Sequence, residues 1–196
     1  GPVYHSPMLY LASQSPRRRE LLAQLGLAHE VLHVEVAELR SPSETPVHYV
    51  QRVAREKADA GWSLVAGRGD AVVLAADTEV VLGDLVFGKP ANVEEAHAML
   101  HRLSGRTHQV LSAVCVIDSS GRREALSRSE VSFATLDQAD IDHYVASGEP
   151  FGKAGAYAIQ GRAAAFVRHL SGSFSGVMGL PLCETAHLLR LRHSAD

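Results

Sequence analysis

Short apolar runs alternate along this chain with segments of helical periodicity, in which apolar residues recur at i, i+3, i+4 and i+7. The apolar runs predict strands over residues 8–13, 29–36, 71–82, 108–118, 124–134 and 163–178. The periodic segments predict helices over residues 16–25, 46–60, 92–103, 137–147 and 181–192. Because strands and helices are interleaved, the pattern indicates an α/β or α+β fold built on one mixed sheet.

Turn and capping residues mark several of these boundaries. Ser15 and Thr45 each precede a proline, which suits the first position of a helix, so both are predicted N-caps. Ser119-Ser120-Gly121 separates two neighbouring strands and predicts a hairpin, and Gly83 predicts another. Two hairpins mean that the sheet cannot be purely parallel.

Composition narrows the class of protein. The chain has 196 residues, of which 46% are hydrophobic and 21% charged, as in an ordinary globular domain. We expect a single domain over residues 8–196, with two lobes around a cleft as an open alternative. Residues 1–7 are expected to be an expression remnant or disordered. A formal net charge of −3 provides no basic field for nucleic acid, which we do not expect as a partner.

The lack of a long apolar run and of cysteine motifs bears on where the protein is located. No apolar run approaches the length of a membrane span, so we expect no membrane partner. The two cysteines, Cys115 and Cys183, have no metal-finger or CxxC spacing and are expected to be reduced thiols. These features predict a cytoplasmic protein.

Arg17 and Arg18 follow directly on a predicted helix start. A helix N-terminus already carries partial positive charge, so cations there cost roughly 0.3–1 kcal/mol unless an anion completes the site. A strand, a serine loop, a helix N-terminus and two guanidinium groups together suit a phosphate group. The alternative is that both arginines simply point into solvent.

Several further residues break their local pattern. Asp77 ends a buried apolar run, where functional carboxylates often lie, although a turn aspartate is the alternative. Lys57 lies on the apolar face of its helix and either extends to solvent or reaches an anion. Lys89 and Glu38 could be ordinary loop residues, but Glu38 with Asp77 would supply the oxygen ligands that Mg²⁺ accepts. Gln160 either reads a base edge or stabilises its loop.

The common catalytic motifs of other classes are missing. The sequence contains no GxxxxGK[ST] loop, no strand-linked GxGxxG and no GxSxG. His97 and His101 have the i, i+4 spacing of a metal pair, but HExxH is absent and no third ligand is evident. A P-loop enzyme, a dinucleotide-binding fold and a serine hydrolase are therefore not supported.

Six sequence blocks, taken together and in this order, resemble the Maf family of nucleoside triphosphate pyrophosphatases. The blocks are LASQSPRRRELL, VAREKA, AADTEVVL with GKP, RLSGRTHQV, EPFGKAGAYAIQG and SGSFSGVMGLPLCET. The resemblance implies an elongated mixed β-sheet flanked by helices around a deep central cleft, similar to the inosine triphosphatase fold. It also implies a homodimer and a divalent metal, Mg²⁺, Mn²⁺ or Co²⁺.

The resemblance implies cleavage of the α–β phosphoanhydride of a nucleoside triphosphate, giving the monophosphate and pyrophosphate. Asp77 would be the general base, and Glu38 and Asp77 would hold the metal. The remaining implied contacts to the triphosphate are Ser13, Ser15, Arg17, Arg18, Lys57 and Lys89. The alternative is a nucleotide-binding regulator of septum formation that does not turn its ligand over.

Three positions resemble the branch of the family that acts on dTTP and UTP. These are Arg17 in SPRR, Thr78 in the DT pair and Gln160 in the AYxIQG block. The resemblance implies that they determine substrate specificity and that Thr78 and Gln160 contact the pyrimidine, with modified pyrimidine triphosphates as further substrates. The chain departs from the family at Gly152 and Ala37, where acidic residues are common.

Overall fold

The computed structural model describes residues 8–191. The residues predicted to be a remnant, 1–7, lie outside this range, as do residues 192–196. In the described part of the chain, seven strands form one open mixed sheet in the order β2-β1-β3-β5-β6-β7, with β4 paired to β3. The strands are β1 (Met8–Ala12), β2 (Glu30–Leu32), β3 (Ala71–Leu82), β4 (Leu85–Phe87), β5 (Thr107–Asp118), β6 (Gly121–Phe133) and β7 (Val167–Ser171).

Six α-helices flank this sheet within residues 8–191. They are α1 (Pro16–Gln24), α2 (Pro46–Val65), α3 (Val93–Leu103), α4 (Gln138–Ala146), α5 (Phe174–Met178) and α6 (Leu182–Leu188). The mixed sheet and its flanking helices confirm the predicted α/β class, whereas the elongation and the depth of the cleft stay predictions. Within residues 8–191, none of the helices combines the length and apolarity that crossing a membrane requires.

The predicted caps and hairpins are confirmed. The hydroxyls of Ser15 and Thr45 accept hydrogen bonds from backbone N–H groups one turn ahead in α1 and α2. β3 and β4 pair antiparallel around Gly83, and β5 and β6 pair around the predicted turn. Local sequence therefore determines where most of these elements begin and turn.

The predicted strand over 163–178 is confirmed only at Val167–Ser171 and is wrong at both ends. A 3₁₀ turn occupies Arg162–Phe166, the strand β7 is short, and α5 follows it. Gly172 has φ of +123° and ends the strand, and a Cβ there would come 2.6 Å from Ser129 Oγ. The hydroxyl of Ser173 then caps α5 by accepting from Gly176 N at 2.9 Å. The predicted strand over 29–36 is also shorter, and the predicted helix over 46–60 continues to Val65.

Alternation along β3 divides the core into two sides. Val73, Ala75 and Val81 pack with α2 on one face of the sheet. Leu74 and Ala76 pack with α1 and α6 on the opposite face, while Val80, further along the strand, joins the cluster of α3 and α4. On this opposite face, Thr78 therefore lies between two apolar clusters, and the site described next begins there.

Candidate active site

The sheet has an open edge in the middle of β3. Pairing with β1 ends at Leu74, and pairing with β4 begins at Val80, while β5 covers the other edge of β3 throughout this stretch. Residues 75–79 therefore lack a strand neighbour on one side. Side chains from both faces of β3 can reach the same space at such a gap, which is a frequent position for a ligand.

A cavity of about 430 Å³ lies at this gap. A second cavity of about 780 Å³ adjoins it and shares much of its wall. Every predicted site residue except Ser13 and Gln160 lines the first cavity, and Ser13 lines the second. Gln160 is exposed and lines neither cavity, so the structure does not bring it together with the others, and its contact with the base stays a prediction.

Lys57 connects two carboxylates at the wall formed by α2 and β3. Its Nζ lies 2.9 Å from Glu38 Oε1 and 3.2 Å from Asp77 Oδ1. The Lys57 side chain is only 13% exposed, so it reaches into the site rather than out to solvent. Partial burial raises the pKa of Glu38, but the charge and hydrogen bond of Lys57 outweigh this, and the net pKa lies below its usual value.

The segment that carries Glu38 is fixed by Arg52 of α2. Arg52 Nη2 donates to Leu39 O at 2.9 Å, one residue beyond Glu38. Arg52 Nε also donates to Glu44 Oε2 at 2.7 Å, at the far end of the same segment. Glu38 lies in an irregular connection between β2 and α2, but these bonds tie that connection to a long helix.

Glu79 is a site residue that our sequence analysis missed. It is 5% exposed, lies two positions after Asp77 on the same face of β3, and lines the first cavity. Burial, with the charge and carboxyl group of Asp77, raises the pKa of Glu79 well above its usual range. The signal was present in the sequence, since a glutamate two positions from Asp77 in a buried strand must share its face.

The opposite wall carries fixed cations. Arg18 Nε donates to Gly179 O at 2.8 Å, and Arg18 Nη2 donates to Thr78 Oγ1 at 3.2 Å. Burial lowers the pKa of Arg18, and burial together with the neighbouring Arg18 charge lowers the pKa of Arg17. Within residues 8–191, neither arginine nor Lys89 forms an ion pair with a carboxylate. Three cations beside one cavity therefore have charge available for a ligand.

The serine side chains of the loop before α1 form hydrogen bonds to nearby backbone N–H groups. Ser13 Oγ accepts from Ser15 N at 3.1 Å, and Ser15 Oγ accepts from Arg18 N at 3.4 Å. Two of the backbone donors at the helix start are thus already bonded to side chains. The affinity of this loop for phosphate therefore depends more on the guanidinium groups than on the helix N–H groups.

The carboxylates fit a divalent cation of the Mg²⁺ type. Lys57 holds Asp77 Oδ1, whereas Asp77 Oδ2 is buried and has no hydrogen-bond partner among residues 8–191, so this second oxygen is free to bind a cation. Within the described part of the chain, no group of three or more His, Cys, Asp or Glu side chains is arranged to hold a metal. Glu38 and Asp77 would therefore supply part of a coordination shell that phosphate oxygens and water complete, as Mg²⁺ prefers.

Comparison with known proteins identifies the family. Residues 8–192 match the family model described as Maf-like protein. A dTTP/UTP pyrophosphatase of Xanthomonas euvesicatoria pv. vesicatoria is 61% identical over 184 residues, which cover 93% of this chain and 97% of that relative. A protein of the same name from Burkholderia pseudomallei is 54% identical, over 100% of this chain and 97% of the relative. The chain therefore belongs to the Maf-like protein family.

Proposed function

We propose that this protein is a nucleoside triphosphate pyrophosphatase that hydrolyses dTTP and UTP to the monophosphate and pyrophosphate. One observation carries the proposal. Asp77, buried and held by Lys57, lines the same cavity as Arg17, Arg18 and Lys89, which have no carboxylate partner within residues 8–191. A binding protein needs the cations but gains little from a buried carboxylate beside the phosphates. The names of the curated relatives support the same activity.

In this proposal the cations bind the triphosphate. Arg17, Arg18 and Lys89 line both cavities, so they can contact phosphates on either side of the scissile bond. Charge-assisted hydrogen bonds from guanidinium to phosphate are short and strong, and two adjacent arginines can hold several oxygens at once. The substrate is thereby oriented with its α-phosphate toward β3.

Asp77 accepts the proton of the attacking water. Its Oδ1 is held at 3.2 Å by the Lys57 ammonium, which fixes the carboxylate plane. A positioned base of this kind contributes roughly 10²–10⁴-fold to the rate. Lys57 and Lys89 then stabilise the charge that develops on the transferring and leaving groups.

A divalent metal, Mg²⁺, Mn²⁺ or Co²⁺, belongs to this proposal. Held by Glu38 and Asp77, it would neutralise charge on the phosphate oxygens. Glu79 lies beside this pair, and its raised pKa keeps its carboxyl group neutral, so Glu38 and Asp77 supply the negative charge that the cation would offset.

Base selection in this proposal depends on Arg17, Thr78 and Gln160, with Thr78 and Gln160 contacting the pyrimidine. A polar group that the bound base covers and leaves unpaired costs about 1–3 kcal/mol, which separates pyrimidines from purines. One methyl group is worth only about 0.8 kcal/mol, so weak discrimination between dTTP and UTP is expected. Modified pyrimidine triphosphates would be accepted for the same reason.

The proposal also includes the cellular setting. We propose a cytoplasmic homodimer that acts on free nucleotides and binds no nucleic acid, which the net charge of −3 supports.

A product assay tests the proposed function. The protein is incubated with a panel of nucleoside triphosphates and Mg²⁺ or Mn²⁺, and the products are identified by chromatography and ³¹P NMR. Monophosphate and pyrophosphate from dTTP and UTP are the expected products. Orthophosphate would instead indicate a phosphatase. Binding of dTTP or UTP without turnover would indicate a regulator, and either result would overturn the proposal.

A further inference from the structure

Lysine is rare in this chain, and every lysine lies at one of the two cavities. The sequence has only three lysines among its 19 lysine and arginine residues, at positions 57, 89 and 153. Lys57 and Lys89 line both cavities, and Lys153 lines the second. The first two already belong to the proposed site, whereas Lys153 has no role in it so far.

Two carbonyl groups hold the ammonium of Lys153 at the wall of the second cavity. Lys153 Nζ donates to Glu149 O at 3.0 Å and to Phe151 O at 3.3 Å, so the side chain folds back onto the turn that follows α4. A lysine ammonium has three protons, and these two bonds use two of them. The third proton remains for a ligand in the cavity, which Phe151 also lines.

No carboxylate neutralises the charge of Lys153. Within residues 8–191, Lys153 forms no ion pair with a carboxylate. The carboxylate of Glu149 instead accepts from the backbone N–H groups of Arg162 at 3.0 Å and Ala163 at 3.4 Å. Carbonyl oxygens reduce the cost of partly burying an ammonium, but they leave its full charge for an anion.

Arg17 adds a second positive charge beside Lys153. Partial burial, and then the charge of Arg17, lower the pKa of Lys153. Arg17 also lines the second cavity, so two cations that repel each other face the same space. An anion bound there relieves this repulsion and favours the charged form of both side chains.

The second cavity suits the part of the triphosphate that leaves. Asp77 lines the first cavity and does not line the second. In the proposed function, Asp77 directs water to the α-phosphate, so the β- and γ-phosphates would extend into the second cavity. When the bond from the α-phosphorus to its bridging oxygen breaks, that oxygen keeps the electron pair, and pyrophosphate leaves with the added negative charge. A cation that lines the second cavity can offset that charge.

We propose that Lys153 is a substrate-binding residue that contacts the β- and γ-phosphates and then the departing pyrophosphate. The proposal rests on the proposed function and deepens it by assigning one cation to the leaving group. The nucleoside and the α-phosphate occupy the first cavity, which Lys153 does not line. Loss of Lys153 should therefore weaken ligands that contain a pyrophosphate group and spare the nucleoside monophosphate.

Acetylation of the wild-type protein tests this contact without any substitution. The protein and Mg²⁺ are treated with an N-hydroxysuccinimide ester of acetate, and the modified fraction at each of the three lysines is measured by peptide mass spectrometry. A ligand at about ten times its dissociation constant leaves roughly a tenth of the sites free. Tripolyphosphate or pyrophosphate should therefore slow acetylation of Lys153 by up to roughly tenfold, whereas UMP should not. Unchanged acetylation of Lys153 would overturn the proposal, and protection of Lys89 in the same sample would show that tripolyphosphate was bound.

Two substitutions separate the charge of Lys153 from its hydrogen bonds. Lys153→Gln removes the charge but keeps N–H donors for the two carbonyls, and Lys153→Met removes both at a similar length. Calorimetry should show roughly five- to fiftyfold weaker binding of tripolyphosphate in both variants, because each loses a charge-assisted contact that is partly exposed to solvent. Wild-type affinity in Lys153→Gln would reduce the lysine to a support of its own turn and refute the proposal.

Kinetics distinguish the two ends of the nucleotide. In Lys153→Gln, KM for UTP and the inhibition constant of pyrophosphate should rise by a similar factor. The inhibition constant of UMP should keep its wild-type value. An equal rise for UMP would overturn the proposal, because it would mean that the substitution disturbs the whole site.

Arg162→Gln is the matched control. Arg162 is an exposed cation on the same side of α4 in the sequence, and it lines neither cavity. This variant should bind tripolyphosphate and turn over UTP like the wild type. Weakening equal to that of Lys153→Gln would show a general effect of net charge and refute a contact by Lys153. A wild-type protein in which tripolyphosphate protects Lys153, but which releases no pyrophosphate from UTP, would refute the proposed function alone.

Discussion

The Nζ atom of Lys57 lies 3.2 Å from Oδ1 of Asp77, across the interface between α2 and β3. Asp77 is 3% exposed, so the ammonium offsets much of the cost of burying its carboxylate. The contact exists because the register of α2 on the sheet directs Lys57 to the open edge of β3. A helix that packs on the sheet through its apolar face thus also delivers one of the site's cations.

Substitution of Asp77 by asparagine should abolish catalysis while retaining binding. Asparagine keeps the volume and one oxygen, but it cannot take a proton from water. We expect pyrophosphate release from UTP to fall by roughly 10²–10⁴-fold, whereas the cations still bind the nucleotide. Stopped product assays and calorimetry measure the two effects separately.

Asp84→Asn is a suitable control, because Asp84 is exposed in the turn between β3 and β4. This variant should turn over UTP like the wild type. Normal turnover in Asp77→Asn would mean that another group activates the water.

The raised pKa of Glu79 should appear in the pH dependence of stability. In the unfolded chain this carboxyl loses its proton near its ordinary pKa of 4.5, whereas burial keeps it protonated in the folded protein. Above that pH the unfolded state is favoured, so the free energy of unfolding should fall by up to about 1.4 kcal/mol per pH unit from this group. Glu79→Gln removes the contribution, and its stability should decline less between pH 5 and pH 8.

Urea denaturation in the presence of a chelator, repeated across that pH range, measures the slope. Glu130→Gln provides the control, because Glu130 is an exposed glutamate on β6. Parallel slopes for the wild type and Glu79→Gln would contradict the assignment.

The sequence predicts the fold well where local chemistry is decisive. Prolines after Ser15 and Thr45 start helices, and Gly83 turns a hairpin, because each constraint acts within a few residues. The failure over residues 163–178 has a different origin. The end of β7 depends on the close approach of Gly172 to Ser129, a tertiary contact that the alternation of residues does not reveal.

The site residues fall into the same two groups, those that local sequence predicts and those that depend on tertiary contacts. Asp77 and Arg18 were predicted because they break a local pattern, and Lys57 became informative only once the structure directed it inward. The hydrogen bond between Ser112 and Thr78 could not be predicted, since it depends on the register of β3 on β5. The carbonyl of Gly179 accepts a hydrogen bond from Arg18, and Gly179 directly follows the segment predicted as a strand. The error over residues 163–178 therefore also concealed this contact to the Arg18 guanidinium.

Arg17 and Arg19 offer a direct comparison of two adjacent arginines. Arg17 lines both cavities, whereas Arg19 is exposed and lines neither. Loss of a charge-assisted contact to phosphate costs about 1.5–3 kcal/mol, so Arg17→Ala should raise KM for UTP by roughly ten- to a hundredfold. Arg19→Ala should leave KM unchanged. Steady-state kinetics check both, and equal KM values for the two variants would remove Arg17 from the binding site.

Gly155 should be the glycine least tolerant of substitution near the site. It has φ of +71°, and a Cβ there would come 2.8 Å from Val80 Cγ2 and 2.9 Å from Val80 Cβ. Val80 is buried and close to the backbone, so it cannot move aside freely. Overpacking of about 1–3 kcal/mol adds to a backbone penalty of roughly 1–2 kcal/mol in Gly155→Ala.

Gly152→Ala separates these two contributions. Gly152 has a similar φ of +80°, but nothing lies within 4 Å of its potential Cβ. Gly152→Ala should therefore lose stability only through backbone strain. Urea denaturation should show Gly155→Ala to be less stable than Gly152→Ala by roughly 1–3 kcal/mol. Equal losses would mean that Val80 relaxes without cost, and that the packing between the 3₁₀ turn at Ala154–Ala156 and β3 is looser than these distances indicate.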